Sequence, residues 1–156
     1  FLAGKPMDEI YSLQLHEQVE RLGLSKIVHF LSNVADVPGF LAQMDIIAMP
    51  SLKRGEGCPV ALLEAMACAK ACVATDVPGS RDIIEDGLSG FLVPAEDATA
   101  LAAAINRLAQ NKDLREQIGA AARERVVSHF SIEKEVSAHQ QLYLDVMARK
   151  GLFRGR

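Results

Sequence analysis

Apolar residues recur along this chain first in a mixture of two periods and then in one. Phe1-Leu2-Ala3 is a short apolar run stopped by Gly4, as at the end of a strand. Asp8–Leu22 carries Tyr11, Leu15, Val19 and Leu22 on one helical face, and Gly23 suits a left-handed stop. Ile27–Leu31 reads as a strand, Phe40–Met44 as a short helix, and Ile46–Met49 as a continuous apolar strand of the kind buried on both faces. The pattern then predicts a helix over Pro59–Ala69, a strand over Ala71–Ala74, a short helix over Gly79–Ile84 and a strand over Phe91–Val93. From Thr99 onward only helical spacing remains, over Ala100–Gln110, Asp113–Val127 and Ile132 to Arg149.

Strand alternating with helix, with nearly continuous apolar strands, specifies an α/β fold: a doubly wound parallel sheet followed by a helical segment. No internal repeat or low-complexity linker divides the chain, so residues 1–156 are expected to form one domain. A chain of that length can bury about 70% of its unfolded surface.

Composition narrows the function classes. Tryptophan is absent and aromatics are 5% of residues, so the core must be aliphatic side chains and alanine. A net charge of −3 argues against a nucleic-acid binder, which is normally basic. No apolar run approaches the roughly 20 residues that span a bilayer. Cys58, Cys68 and Cys72 are odd in number and lack metal-type spacing, so they read as reduced thiols in a cytoplasmic protein. There is no Asp-x-Asp motif, and His16, His29, His129 and His139 are scattered over different elements. That fits a protein that uses no metal or other cofactor. A Gly-x-Gly-x-x-Gly after a strand is also missing, which sets aside a dinucleotide-dependent dehydrogenase.

The candidate chemistry lies between Ser51 and Gly90. Glu56 and Glu64 are separated by seven residues, and Pro59 is placed to open a helix between them. With Cys58 as the cap and Pro59 at the first helical position, the amides of Val60 and Ala61 would be free to meet an anion. Glu64 stands four residues beyond Val60 on the same side, and Gly57 permits close approach of a ligand to the backbone. Ala61, Leu62, Ala65, Met66 and Ala69 would form the packing face. A carboxylate on either side of such a nest can accept hydrogen bonds from sugar and ribose hydroxyls. Taken alone, two glutamates at this spacing are more often a solvated loop residue and an exposed helix residue.

The order of the surrounding motifs is more specific. Pro50-Ser51, Glu56-Gly-Cys-Pro-Val-Ala-Leu-Leu-Glu64, Ala65-Met-Ala-Cys68, Thr75-Asp76-Val-Pro-Gly79, Asp86-Gly87 and Gly90-Phe-Leu-Val-Pro94 follow one another. Together with Leu24–Leu31 before them and Ala121–Ser131 after them, they closely resemble the donor-binding half of the group 1 retaining glycosyltransferases. Those enzymes have the two-domain GT-B architecture, and the fold implied here is its C-terminal, Rossmann-like half. The resemblance implies that Glu56 is the catalytic-site glutamate facing the donor sugar. Gly57, Cys58, Pro59, Val60 and Ala61 would hold the diphosphate and sugar, and Glu64 the ribose. Leu31, Ser32, Asn33 and Val34 would lie near the base, largely through main-chain groups. The implied reaction is retaining, metal-independent glycosyl transfer from a UDP- or GDP-linked sugar. Galactosyl, glucosyl, mannosyl and N-acetylglucosaminyl transfer all stay open. The implied partner is an N-terminal acceptor-binding domain.

Departures from the family pattern carry expectations of their own. The family's diphosphate-binding arginine and lysine would precede Phe1, so the chain is expected to lack a first strand-helix unit, on the order of 40 residues on the βαβ scale. Lys53-Arg54 could replace that positive charge, and a solvated basic pair explains them equally well. Ala69 and Ala71 stand where the family commonly has glycine and proline, and Asp82 where it has glutamate. A non-catalytic nucleotide-sugar-binding or scaffold domain is the alternative from a different class. The stripe Val136, Gln140, Tyr143 and Met147 predicts exposed apolar surface and self-association. The terminal Arg149-Lys150 and Arg154-Gly-Arg156 could touch an anionic membrane, though a solvated, frayed tail is the simpler reading.

Overall fold

The computed structural model describes residues 1–6, 8–52 and 57–150. The backbone divides into two compact units, one ending at Phe40 and the other beginning at Leu41.

In the first unit, β1 (Leu2–Ala3) and β2 (Phe30–Leu31) pair in parallel, Leu2 opposite Phe30 and Ala3 opposite Leu31. Between them runs α1 (Glu9–Arg21). Asp8 caps its start by accepting the Tyr11 amide at 3.0 Å. Its end is the predicted glycine stop: Gly23 has φ +68°, its amide donates to Glu20 O, and the Leu24 amide donates to Val19 O. The expected strand over Ile27–Leu31 is shorter than its apolar pattern. The amides of Ile27 and Val28 both donate to Leu24 O, so they are consumed in a turn before a ladder can use them. The α1 face is also shallower than expected. Leu15 and Val19 are half-buried, while Tyr11 and Leu22 are exposed, because a 40-residue unit has little interior to offer.

Helix α2 (Val37–Ala42) starts three residues before the expected position. The Asp36 carboxylate accepts the Gly39 amide at 3.0 Å and so opens a helical turn ahead of the apolar residues.

The second unit is built on β3 (Ile46–Met49), β4 (Ala71–Thr75) and β5 (Phe91–Val93), all parallel, in spatial order β3-β4-β5. Helix α3 (Val60–Ala67) joins the first two strands and α4 (Pro78–Ile83) the second pair. Then follow α5 (Ala98–Ala109), α6 (Lys112–His129) and α7 (Ile132–Arg149). Every residue of β4 is buried, as a central parallel strand requires. Ile46–Met49 is not buried on both faces: it is the sheet's edge, Ala48 is exposed, and the other three residues are half-buried. Ala71, Val73, Phe91, Val93, Leu108 and Ile118 form the core, with Leu101, Ala104 and Ile105 packed against it. Aliphatic residues and one phenylalanine therefore fill it, consistent with the aromatic-poor composition.

The Asp86–Gly90 segment is a turn with local structural work to do. Asp86 accepts the Leu92 amide at 2.8 Å, Gly87 takes φ +77°, and the Ser89 hydroxyl accepts the Glu85 amide at 2.9 Å. Gly90 is there for space, since a Cβ would stand 3.0 Å from Cys72 O. In α7 no residue is buried, and Val136, Tyr143 and Met147 of the apolar stripe are exposed.

Candidate functional site

The carboxyl ends of β3, β4 and β5 point one way because the strands are parallel and in register. Ligands of open α/β sheets bind at that end. The chain leaves β3 through Pro50, Ser51 and Leu52 and re-enters at Gly57 ahead of α3. Glu56, expected to face the donor sugar, and Lys53-Arg54 lie outside the described residues.

Helix α3 begins one residue later than expected. Pro59, not Cys58, is the N-cap, with φ −74° and ψ 92°. Its carbonyl accepts the Leu62 amide at 3.0 Å and the Leu63 amide at 3.3 Å, which leaves Val60 as the first helical residue. The physical reason is that a cap needs extended backbone, and the proline ring already fixes a compatible φ. Pro59 is buried and Cys58 is exposed. Val60 and Ala61 still hold the first two amides, which have no partner within the helix.

Helices α3 and α4 share a trait. Neither has a side-chain hydrogen bond at its cap, whereas Asp8, Asp97, Asn111 and Ser131 cap α1, α5, α6 and α7. Glu64 is exposed one turn beyond Val60, while Leu62, Ala65 and Met66 on the opposite side are fully buried. Two residues assigned to that packing face belong elsewhere. Ala61 is exposed beside the free amides, and Ala69 lies past the helix end with φ +55°. Around Gly57 there is open space, so packing within the protein does not demand a glycine there.

Thr75 and Asp76, in the Thr75–Gly79 motif, have structural partners that sequence pattern does not announce. Thr75 is 4% exposed, and its hydroxyl donates to Ser51 O at 2.7 Å, tying the end of β4 to the segment that leaves β3. Asp76 forms an ion pair with Arg81 of α4 through Nε, and Nη2 donates to its second oxygen at 3.1 Å. That hydrogen-bonded guanidinium holds the Asp76 carboxyl below the usual carboxylate range. Beside Thr75 is a cavity of about 190 Å³ lined by Pro50, Leu52, Glu96, Asp97, Ala98 and Leu101. Glu96 there has φ +67°, and the Asp97 carboxylate is used to cap α5.

Asp82 is exposed on α4; its carbonyl accepts from Arg125 at 3.3 Å. Leu31, Ser32, Asn33 and Val34 belong to the first unit, where Leu31 ends β2 and its carbonyl accepts the Gly4 amide at 2.8 Å. The four histidines are all exposed: His16 stacks on Phe30, His29 packs on Phe1, and His129 and His139 bond carbonyls in their own helices. Among the described residues, no three His, Cys, Asp or Glu side chains stand together as a metal site, and no helix is long and apolar enough to cross a membrane. Cys58, Cys68 and Cys72 are free thiols.

Comparison with known proteins gives the family and the fold. The family model "Glycosyl transferases group 1" matches residues 1–125. The chain is 35% identical over 129 residues to N-acetyl-alpha-D-glucosaminyl L-malate synthase of Bacillus anthracis, covering 83% of this chain and 33% of that protein. Among solved structures it resembles Alr3699/HepE of Anabaena in complex with UDP-glucose, with TM-score 0.83, 30% identity, and coverage of 94% of this chain and 40% of that one. It also resembles the C-terminal domain of LpcC, a group 1 glycosyl transferase family protein of Francisella tularensis, with TM-score 0.74, 28% identity, and coverage of 82% and 66%. The chain spans about a third of the length of the first two relatives it matches by sequence. With the family model covering most of its residues and a mixed α/β fold of parallel strands shared with these structures, the chain belongs to the group 1 glycosyl transferases.

Proposed function

We propose that this chain is the donor-binding part of a retaining, metal-independent hexosyltransferase. The donor is a UDP- or GDP-linked sugar, and the acceptor is held by a separate N-terminal domain. The observation that carries the reading is the start of α3. The amides of Val60 and Ala61 lie at an N-terminus with no side-chain cap, and Glu64 is exposed on the next turn of the helix that follows parallel strand β3 in the chain. A helix N-terminus attracts a diphosphate through its free N–H groups and its dipole. Glu64 then accepts hydrogen bonds from ribose hydroxyls, and the role assigned to Glu56 is that of a carboxylate that stabilises positive charge at the anomeric carbon. Charge on the departing diphosphate is met by the amides in place of a divalent cation. The UDP and UDP-glucose complexes of the Anabaena relative support a uridine nucleotide as donor.

Calorimetric titration with UDP and GDP tests the reading. One nucleotide should bind, and Glu64→Ala should weaken it by roughly tenfold or more, the worth of a hydrogen bond to a charged group. Equal affinity in the variant would remove Glu64 from the site. In the full natural protein, turnover that survives EDTA and product of unchanged anomeric configuration by NMR are expected. An inverted product, or activity lost to the chelator and restored by a divalent ion, would overturn those two parts.

A further inference from the structure

Helix α6 carries three arginines, and each donates to the closing turn of a different helix. Arg115 reaches Leu108 O at 2.8 Å and Ala109 O at 3.0 Å in α5. Arg125 reaches Ile83 O at 2.6 Å and Asp82 O at 3.3 Å at the end of α4. Arg123 donates to Ala67 O, the last residue of α3. Closing carbonyls lack helical partners and carry the negative end of the helix dipole, so a guanidinium there is favourable on both counts. Of the three, Arg123 alone holds the helix that bears Val60, Ala61 and Glu64.

We propose that Arg123 is a positioning residue for the nucleotide, acting through α3 from the end opposite the amides. This rests on the donor reading of the α3 N-terminus. The helix is eight residues long, about 12 Å at 1.5 Å per residue, so a tilt at Ala67 displaces the amides at Val60 and Ala61. Leu62, Ala65 and Met66 hold α3 to the interior, but apolar contact is non-directional. It resists lifting, and a hydrogen bond at the helix end adds direction to that hold. Helix α6 supplies the directional restraint. The Gly119 backbone meets the Ala69 carbonyl so closely that a Cβ would lie 2.1 Å from its oxygen, which makes a stop. Four residues on, along the same face of α6, Arg123 takes the Ala67 carbonyl. Amides that grip a phosphate feel small displacements, because hydrogen bonds weaken steeply outside their distance and angle range. Arg123 is itself exposed, so its truncation leaves the core intact, and lysine at this position keeps a donor.

The experiment is titration of the full natural protein with UDP and GDP, beside its thermal midpoint, for wild type, Arg123→Ala, Arg123→Lys, Arg115→Ala and Glu64→Ala. Arg123→Ala is expected to weaken the bound nucleotide roughly tenfold at a temperature where it is fully folded, with Arg123→Lys restoring most of that loss. Arg115→Ala uncaps α5, and should lower the midpoint while leaving the affinity unchanged. Two results overturn the proposal alone: Arg123→Ala lowers the midpoint without changing affinity while Glu64→Ala weakens binding, or Arg115→Ala weakens binding as much as Arg123→Ala. Wild type that binds neither nucleotide overturns the donor reading, and this inference with it.

Discussion

The backbone of Gly119 lies against the Ala69 carbonyl so closely that a Cβ on Gly119 would stand 2.1 Å from the oxygen and 2.9 Å from the carbon. Both obstructing atoms are backbone, so no rotamer change can make room. Gly119→Ala must therefore push α6 away from the end of α3, and overpacking of this kind costs about 1–3 kcal/mol. Urea denaturation should show the midpoint falling with little change in slope. An unshifted midpoint would mean that the two helices do not approach this closely.

How much of this was legible in the chain depends on whether the controlling signal was local. The strand over Phe91–Val93 and the helix over Ile132–Arg149 match their apolar patterns, and the Gly23 stop follows from one residue type. The order of elements, and the start of α3 to within one residue, were legible for the same reason. Ile27-Val28 failed as a strand because two amides were taken by Leu24 O, a turn that apolar content does not announce. Ile46–Met49 failed as a strand buried on both faces because being an edge is a property of the sheet, not of the four residues. The arginines of α6 were invisible for another reason. Each meets a backbone carbonyl between 6 and 56 residues away, and a carbonyl leaves no trace in side-chain pattern.

Ala69 offers a prediction of opposite sign to that for Gly119. Its φ of +55° is left-handed, where a Cβ costs about 1–2 kcal/mol and glycine none. Replacing alanine by glycine returns about 0.4–1 kcal/mol of that through greater freedom of the unfolded chain. Ala69→Gly should thus stabilise by about 0.5–1 kcal/mol, read as a higher urea midpoint. Destabilisation would show that the alanine methyl makes contacts that outweigh its backbone strain.

The Asp76–Arg81 pair predicts a pH dependence. The hydrogen bond from Arg81 lowers the Asp76 carboxyl below its ordinary value of 3.8 in the folded chain. A carboxyl lowered on folding contributes stability above its unfolded pKa, and that contribution is lost as pH falls through the folded pKa. Arg81→Gln should raise the Asp76 pKa toward 3.8, measured by NMR titration of the side-chain carboxyl. The stability difference between the two proteins should be present at neutral pH and disappear in strong acid. Both side chains are exposed, so salt should shrink the effect. A pKa unaffected by the substitution would dismiss the pair.

The three thiols form a graded probe of the region around α3. Cys58 is exposed just before Pro59, Cys68 is half-buried at the helix end, and Cys72 is buried in β4. The thiolate is the reacting form, and burial pushes the Cys72 thiol up to about 12, so it should resist alkylation until the chain unfolds. Iodoacetamide on the native protein is therefore expected to modify Cys58 first, Cys68 more slowly and Cys72 only in denaturant, as read by peptide mass spectrometry. Under the donor reading, nucleotide bound at the Val60 and Ala61 amides sits beside Cys58 and should slow its alkylation several-fold, on the order of the fraction of sites left unoccupied. Cys68, at the other end of the helix, should react at the same rate with or without nucleotide. Protection of Cys68 alone would place the ligand elsewhere, and equal protection of both would point to a general tightening of the chain in place of direct cover.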